Sequence, residues 1–280
     1  MKHALVLQSD FGLSDGAVSA MYGVANSVDG TIPIFDITHD IPPYNIWEAS
    51  YRLLQTMMYW PEGTVFVSVV DPGVGTNRNS VVVQTETNQF IVTPDNGTLT
   101  HINKKIGIKK VRTIDENVNR LPKSGASHTF HGRDVYAYTG ARLAAGIINY
   151  EQVGDELSLD TIVDLPFYEA YLDANQIAGI IDILDVRFGN LWTNVSRELF
   201  NKLDVEYGDT CEIIIQHETK PVYENTIIFG KSFAAISIGE PLLYINSLDN
   251  IAVAINQGSF ANINKIGTGY NWKIMIRKIY

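Results

Sequence analysis

Val69-Val70-Asp71-Pro72-Gly73-Val74-Gly75-Thr76-Asn77-Arg78 ends a strand with an acid and returns an arginine to it, and the architecture follows from that placement. The apolar, β-branched run from Thr64 to Val70 reads as a buried strand. It stops at an acid, a proline and two glycines, and Arg78 follows seven residues after Asp71. Asp71 is thereby placed at the C-terminal lip of a strand, where ligands of open α/β sheets collect. Gly73 and Gly75 let backbone approach a ligand closely. Arg78 is expected to fold back as a rigid donor toward an anion or a polar substrate group.

Working outward, Ala4–Gln8 is a short apolar strand ending in Ser9-Asp10-Phe11-Gly12. Asp15 opens a helical pattern in which Ala17, Met21, Val24, Ala25 and Val28 recur, until Gly30 stops it. Asp10 lies on a strand-to-helix turn, a place where ribose hydroxyls are held. A carboxylate accepting from two vicinal hydroxyls makes a bidentate contact. Ile32–Ile37 is a second strand, with His39 and Asp40 at its end, and a helix is expected from about Asn45 to Tyr59. Strand, helix, strand, helix, strand signals a parallel, helix-covered sheet. Ser80–Gln84 and Gln89–Val92 read as a hairpin that ends in the turn Pro94-Asp95-Asn96-Gly97. His128-Thr129-Phe130-His131-Gly132-Arg133-Asp134 then leads into a helix. His131 is either a site residue or a local helix cap, and Arg133 and Asp134 read as a local ion pair.

The pattern changes after Leu165. Residues 1–165 read as an α/β N-terminal domain, 166–175 as a linker and 176–280 as a smaller, mostly antiparallel β domain, a barrel or sandwich. In the second domain, Asp185–Asn194 places an acid, two aromatics and two amides on a loop after a strand. Stacking faces with adjacent amides suit a flat heterocycle. Ile245-Asn246-Ser247 and Asn256-Gln257-Gly258-Ser259 are turns whose polar groups suit a carboxylate or a purine edge.

The chain has 280 residues, 45% hydrophobic, and a formal net charge of −10. That charge argues against a nucleic-acid partner and favours a cationic or zwitterionic small molecule. Cys211 is the single cysteine and, among isoleucines, reads as a buried strand thiol, which fits a reducing, cytoplasmic setting. No apolar run approaches the ~18 residues of a membrane span. Asp10, Asp15, His39, Asp71 and His131 lie at strand ends, yet their spacing gives only weak support to a metal-dependent phosphoesterase. A non-catalytic nucleoside sensor is the other alternative; it would not need Asp71, Arg78 and His131 together.

Taken in order, Ser-Asp-Phe-Gly, Asp-Pro-Gly-Val-Gly-x-x-Arg, Pro-Asp-Asn-Gly, Phe-His-Gly-Arg-Asp, Phe-Gly-Asn-Leu-Trp-Thr-Asn and Ile-Asn-Ser match one family across essentially the whole chain. The sequence resembles the S-adenosyl-L-methionine hydrolases, or SAM hydroxide adenosyltransferases, siblings of the fluorinase and chlorinase. The resemblance implies an α/β N-terminal domain with a central, mostly parallel sheet and a mostly antiparallel β-barrel C-terminal domain. It implies a homotrimer with each site between the N-terminal domain of one subunit and the C-terminal domain of the next. It puts a catalytic triad on Asp71, Arg78 and His131. It puts ribose binding on Asp10, an aromatic near the ribose on Tyr44, and a further substrate contact on Phe130. Asp185 would meet the methionine amino group and Ser247 its carboxylate. Adenine and stacking positions fall on Phe188, Asn190, Trp192 and the Asn256–Gln257 backbone. An aromatic lid falls on Phe233, with Phe229 as the neighbouring candidate. The implied reaction is in-line attack of water on C5′ of S-adenosyl-L-methionine, giving adenosine and L-methionine with no metal or cofactor. Halide-dependent transfer fits less well, because Asp71 would repel a halide and Gly132 offers no hydroxyl.

Overall fold

The structure is a computed structural model and describes residues 2–279. The chain divides after Leu165 into two compact units.

The first unit is built on a seven-stranded sheet: β1 (Leu5–Ser9), β2 (Ile34–Thr38), β3 (Val65–Val69), β4 (Ser80–Thr85), β5 (Phe90–Pro94), β6 (Ile108–Thr113) and β7 (Glu156–Leu157). Their order is β2-β1-β3-β5-β4-β6-β7. The pairs β2–β1, β1–β3 and β3–β5 are parallel and carry the central α/β architecture, whereas β5–β4, β4–β6 and β6–β7 are antiparallel. Every residue of β1 and β3 is buried, because helices cover both faces. Leu5 and Leu7 pack with Met21, Ala25 and Ala141 on one face, from α1 (Ala17–Val28) and from the later helix at Tyr138–Ala144. Val6 packs on the other face with Leu53, Met57 and Ile102, from α2 (Ile46–Met57) and α3 (Thr100–Lys105). Asn45 starts α2 by accepting the Glu48 N–H at 3.1 Å. A short α4 (Glu116–Asn119) follows, and α5 is the helix Tyr138–Ala144.

The chain runs from β1 outward to β2 and then returns to β3 on the opposite side of β1. That reversal opens a crevice at the carboxyl ends of β1 and β3. Asp10 follows β1 directly, and Asp71 lies two residues beyond β3.

The second unit contains β8 (Tyr171–Asp173), β9 (Gln176–Asp185), β10 (Asn190–Ser196), β11 (Thr210–His217), β12 (Lys220–Phe229), β13 (Pro241–Ile245), β14 (Asn250–Ile255) and β15 (Trp272–Lys278). The order β10-β14-β13-β12-β11-β15-β9 closes on itself through β9–β10, so seven strands form a barrel with no free edge. All of these pairs are antiparallel except β12–β13. Inward residues such as Ile181, Ile213, Val253 and Ile274 fill the core, and Phe200 (α6, Arg197–Phe200) and Phe260 (α7, Phe260–Asn264) plug it.

Two sequence expectations shift. Asn190–Asn194 is not a loop but the start of β10, and only residues 186–189 turn. Part of the expected linker, Tyr171–Asp173, is a strand paired to β9. In both places polar residues hid a strand whose pairing is set by its neighbours.

Candidate active site

Asp71 leaves the end of β3 into a tight turn. Its carbonyl accepts the Val74 N–H at 3.2 Å, and the Gly73 carbonyl accepts from Thr76 N–H at 3.1 Å and Thr76 Oγ1 at 2.7 Å. Gly75 sits at φ +78° inside this turn. The turn brings Arg78 back onto Asp71. Arg78 Nε donates to Asp71 Oδ1 at 2.7 Å and Nη2 donates to Oδ2, a two-pronged contact. Nη2 also donates to His131 Nδ1 at 3.3 Å, and Nη1 donates to Ser80 Oγ at 3.1 Å and the Asn79 carbonyl at 3.5 Å. A guanidinium has five N–H groups, and all five are committed. Arg78 folds back, as expected, onto an anion, the Asp71 carboxylate, and it frames Asp71 and His131.

The electrostatics follow from that frame. Burial opposes the Arg78 charge, but the hydrogen bond to Asp71 and the surrounding acids outweigh it and raise the guanidinium further. Burial lowers His131, and Arg78 and Arg120 push the same way against the attraction of Glu116 and Asp71. Arg78 cannot accept a hydrogen bond, so His131 Nδ1 must offer a lone pair. Neutral His131 then carries its proton on Nε2, which is buried and has no hydrogen-bond partner.

His131 does not cap the helix that follows. The chain from Gly132 to Ala137 makes a wide π-turn before α5, a feature common at functional sites. Gly132 lets this turn press into the pocket wall: a Cβ there would stand 3.1 Å from the Phe11 ring and 3.2 Å from Val69. Arg133 does pair locally with Asp134, at 2.7 Å, and its guanidinium lies 4.9 Å from the Phe130 ring centre.

Asp10, Phe11, Tyr44, Asp71, Phe130 and His131 line one cavity of about 360 Å³ in this unit. Asp10 Oδ2 accepts the Tyr44 N–H at 2.8 Å, which leaves further lone pairs for hydroxyls. Tyr44 adopts φ +68° and is 72% exposed at the rim, a strained backbone at a candidate site. Phe11 and Phe130 meet edge to face at 5.6 Å.

The second unit has its own cavity of about 650 Å³, lined by Asp185, Arg187, Phe188, Asn190, Phe233, Tyr244, Asn256 and Gln257 among others. Asn256 spends its side-chain amide on the carbonyls of Phe233, at 3.1 Å, and Ile236, at 3.0 Å, so it fixes the Phe233 segment. Phe233 lies 5.3 Å from Tyr244 on the cavity wall, whereas Phe229 is buried and stacks on Tyr207 away from it. Two expected residues are outside the lining: Trp192 is buried in β10, and Ser247 is exposed in the β13–β14 turn. Several lining residues went unread, among them three with large side chains able to contact a ligand. Phe11 lay inside the Ser-Asp-Phe-Gly motif, Arg187 inside the Asp185–Asn194 segment, and Tyr244 gave no signal within an apolar strand.

Asp15 accepts the Ala17 N–H at 2.9 Å and serves α1. Among the described residues, no group of three or more His, Cys, Asp or Glu is placed to hold a metal, and no helix is long and apolar enough to cross a membrane. Cys211 is buried on β11, with its thiol pushed up to about 12 by burial.

The molecule is thus a two-unit small-molecule protein: an α/β sheet with acid, arginine and histidine at its switch point, and a closed barrel with an aromatic and amide-lined cavity. Family comparison gives it a place. The SAM hydroxide adenosyltransferase N-terminal domain matches residues 5–154 and the C-terminal domain of the same family matches residues 179–273, so the chain belongs to that family. It is similar to an (R)-S-adenosyl-L-methionine hydrolase of Methanocaldococcus jannaschii, with 33% identity over 93% of this chain and 88% of the relative. It is also similar to a fluorinase of Actinopolyspora mzabensis, with 26% identity over 92% of each. A crystal structure of an uncharacterized conserved protein from Thermotoga maritima superposes with a TM-score of 0.88 at 31% identity, covering 98% of this chain and 99% of that one.

Proposed function

We propose that the protein hydrolyses S-adenosyl-L-methionine to adenosine and L-methionine, using no metal or cofactor. The observation that carries this reading is the Asp71–Arg78–His131 cluster, whose Asp71 and His131 line one cavity with Asp10. Membership of the family, with relatives named as hydrolases, supports it.

The substrate sulfonium is already an activated leaving group, and methionine departs as a neutral thioether. The difficulty is the nucleophile, since free water ionises with a pKa near ~15.7. Asp71 is the base: Arg78 occupies one lone pair on each oxygen and fixes its direction, leaving others to take a water proton. His131 braces Arg78 through Nδ1 and so keeps the Asp71 carboxylate aimed at the attacking water. The water oxygen attacks C5′, the C5′–S bond breaks with its electron pair going to sulfur, and the proton passes to Asp71 and then to solvent. General-base catalysis of this kind contributes about 10²–10⁴-fold, and orientation adds more. Asp10 holds the ribose diol, with Tyr44 and Phe130 beside the sugar. Asp185 meets the methionine ammonium, and Phe188, Phe233 and Asn190 meet adenine. A halide pathway is disfavoured by the carboxylate of Asp71, which would repel the anion.

The assembly is a homotrimer in which each site joins the first-unit cavity of one subunit to the second-unit cavity of its neighbour. Incubating purified protein with S-adenosyl-L-methionine, with and without chelator and with and without chloride or fluoride, tests the reaction. Adenosine and methionine in equal amounts, indifferent to chelator, are expected. A halogenated nucleoside, or binding without turnover, overturns the reading. For the assembly, mixing Asp71→Ala and Asp185→Ala subunits should give, at low substrate, more activity than the two variants measured separately.

A further inference from the structure

Beside the cavity runs a second chain of side chains that the reaction does not use. Ser9 Oγ lies 2.7 Å from His39 Nδ1, and His39 Nε2 lies 3.1 Å from Asp36 Oδ1. Ser9 and His39 are buried, and Asp36 reaches the surface. The spacing is that of a Ser–His–Asp relay, but Ser9 has no exposed surface and so cannot attack a substrate.

The direction of the chain can be read donor by donor. Asp36 is an acceptor only, so His39 Nε2 carries the proton and Nδ1 offers a lone pair. Ser9 Oγ–H therefore donates to Nδ1, and Ser9 Oγ in turn accepts the Phe11 N–H at 3.3 Å. Asp36 Oδ2 accepts from the Tyr22 hydroxyl. Burial and the contact with Asp36 push the Tyr22 phenol up, so it keeps its proton. A second tie runs through main chain, where the His39 carbonyl accepts the Gly12 N–H at 2.8 Å. Residues 9–12 are thus fastened at two points to the end of β2, and between those points stands Asp10.

We infer that the Asp36–His39–Ser9 chain is a positioning latch that fixes the Asp10 carboxylate for a vicinal diol and so sets the preference for ribose over deoxyribose. This rests on the reading of Asp10 as the ribose group. The latch acts through Asp10 and touches no substrate. Its loss should therefore raise KM and leave kcat alone, because the water-holding cluster around Asp71 is separate. Asp36→Asn is the mildest probe. Its side chain offers one acceptor oxygen for two donors, His39 Nε2–H and the Tyr22 hydroxyl, and its position is half-exposed.

The test measures kcat and KM for S-adenosyl-L-methionine and its 2′-deoxy analogue, with adenosine and 2′-deoxyadenosine binding measured by calorimetry alongside. Ser9→Ala and His39→Ala should lower the ribose-to-deoxyribose ratio of kcat/KM about tenfold, carried by KM, and Asp36→Asn should lower it about threefold. A ratio equal to wild type in all three variants, with normal turnover, overturns the latch alone. Equal handling of the two sugars by the wild-type protein overturns it too. A fall in kcat equal for both substrates would mark the chain as merely structural. Absence of turnover in the wild type refutes the hydrolase reading, while the calorimetric ratio still decides the latch.

Discussion

In the α/β unit, the Asp71 and Arg78 side chains are only 6% and 11% exposed, and each guanidine N–H has a partner. In the barrel, Phe188 is 67% exposed at the mouth of a cavity nearly twice as large. The first cavity is small, with its charges held in place by one another. The second is roomier and presents the aromatic faces of Phe188, Phe233 and Tyr244. Rigid, preorganised polar groups lower a barrier because they need no reorganisation when charge develops. Aromatic surfaces supply binding area and selectivity. On the proposed reading, the sheet would hold the nucleophile and the ribose and the barrel the rest of the substrate, and each change below should move one side without the other.

The largest effect belongs to Asp71→Asn. The amide keeps the shape but cannot take a proton, so kcat should fall about 10³-fold while KM changes little. Steady-state kinetics decide it, and an active variant would end the role of Asp71 as base. On the barrel side, Asp185→Asn should raise KM for S-adenosyl-L-methionine about 30-fold, the worth of one charged hydrogen bond, and leave kcat alone. If kcat falls instead, that division between sheet and barrel fails.

A smaller effect is expected from pH. His131 is lowered from its usual range, chiefly by burial, and on the proposed reading it supports Arg78 in its neutral form. Turnover should therefore stay level as pH falls past about 6.5, the ordinary histidine value, and decline only through the lower folded value. Stability carries the same sign. Between those two values the unfolded chain binds the proton and the folded one does not, so stability drops as pH falls through that window. His131→Gln should remove this part of the pH profile, whereas variants of the barrel cavity should retain it.

Much of the first unit was legible because its signals are local. Uninterrupted β-branched runs gave β1 and β3, and the acids that end them fell at the switch point by topology alone. The bonding of Arg78 was not legible, since it depends on Ser80 and His131, and His131 is 53 residues away. The barrel was harder. Asn190, Thr193 and Asn194 are polar letters in a strand whose existence depends on pairing with β9 and β14. The Asn256–Gln257 backbone reads as a ligand contact; what the sequence does not show is that the Asn256 side-chain amide is spent on the carbonyls of Phe233 and Ile236. The relay through His39 escaped notice because Ser9, Asp36 and His39 are each ordinary in the sequence and become a chain only when β1 and β2 pair.

The smallest effect tests whether the barrel cavity depends on its turn. Gly189 closes the Asp185–Asn190 turn at φ +67°, and a Cβ there would fall 2.0 Å from Ser259 Oγ. That hydroxyl accepts the Asn262 N–H at 3.2 Å and starts α7, so it cannot swing away without loss of the cap. Gly189→Ala should cost about 2 kcal/mol, from left-handed backbone strain and the lost cap together. Melting should drop by about 4–8 °C. The neighbouring Phe188 rides on this turn, so KM should rise about threefold while kcat holds, because nothing in the Asp71 cluster moves. A kcat that falls with the melting temperature would show the two cavities to be less independent than their construction implies, since a strained barrel turn would then be reaching the nucleophile's frame.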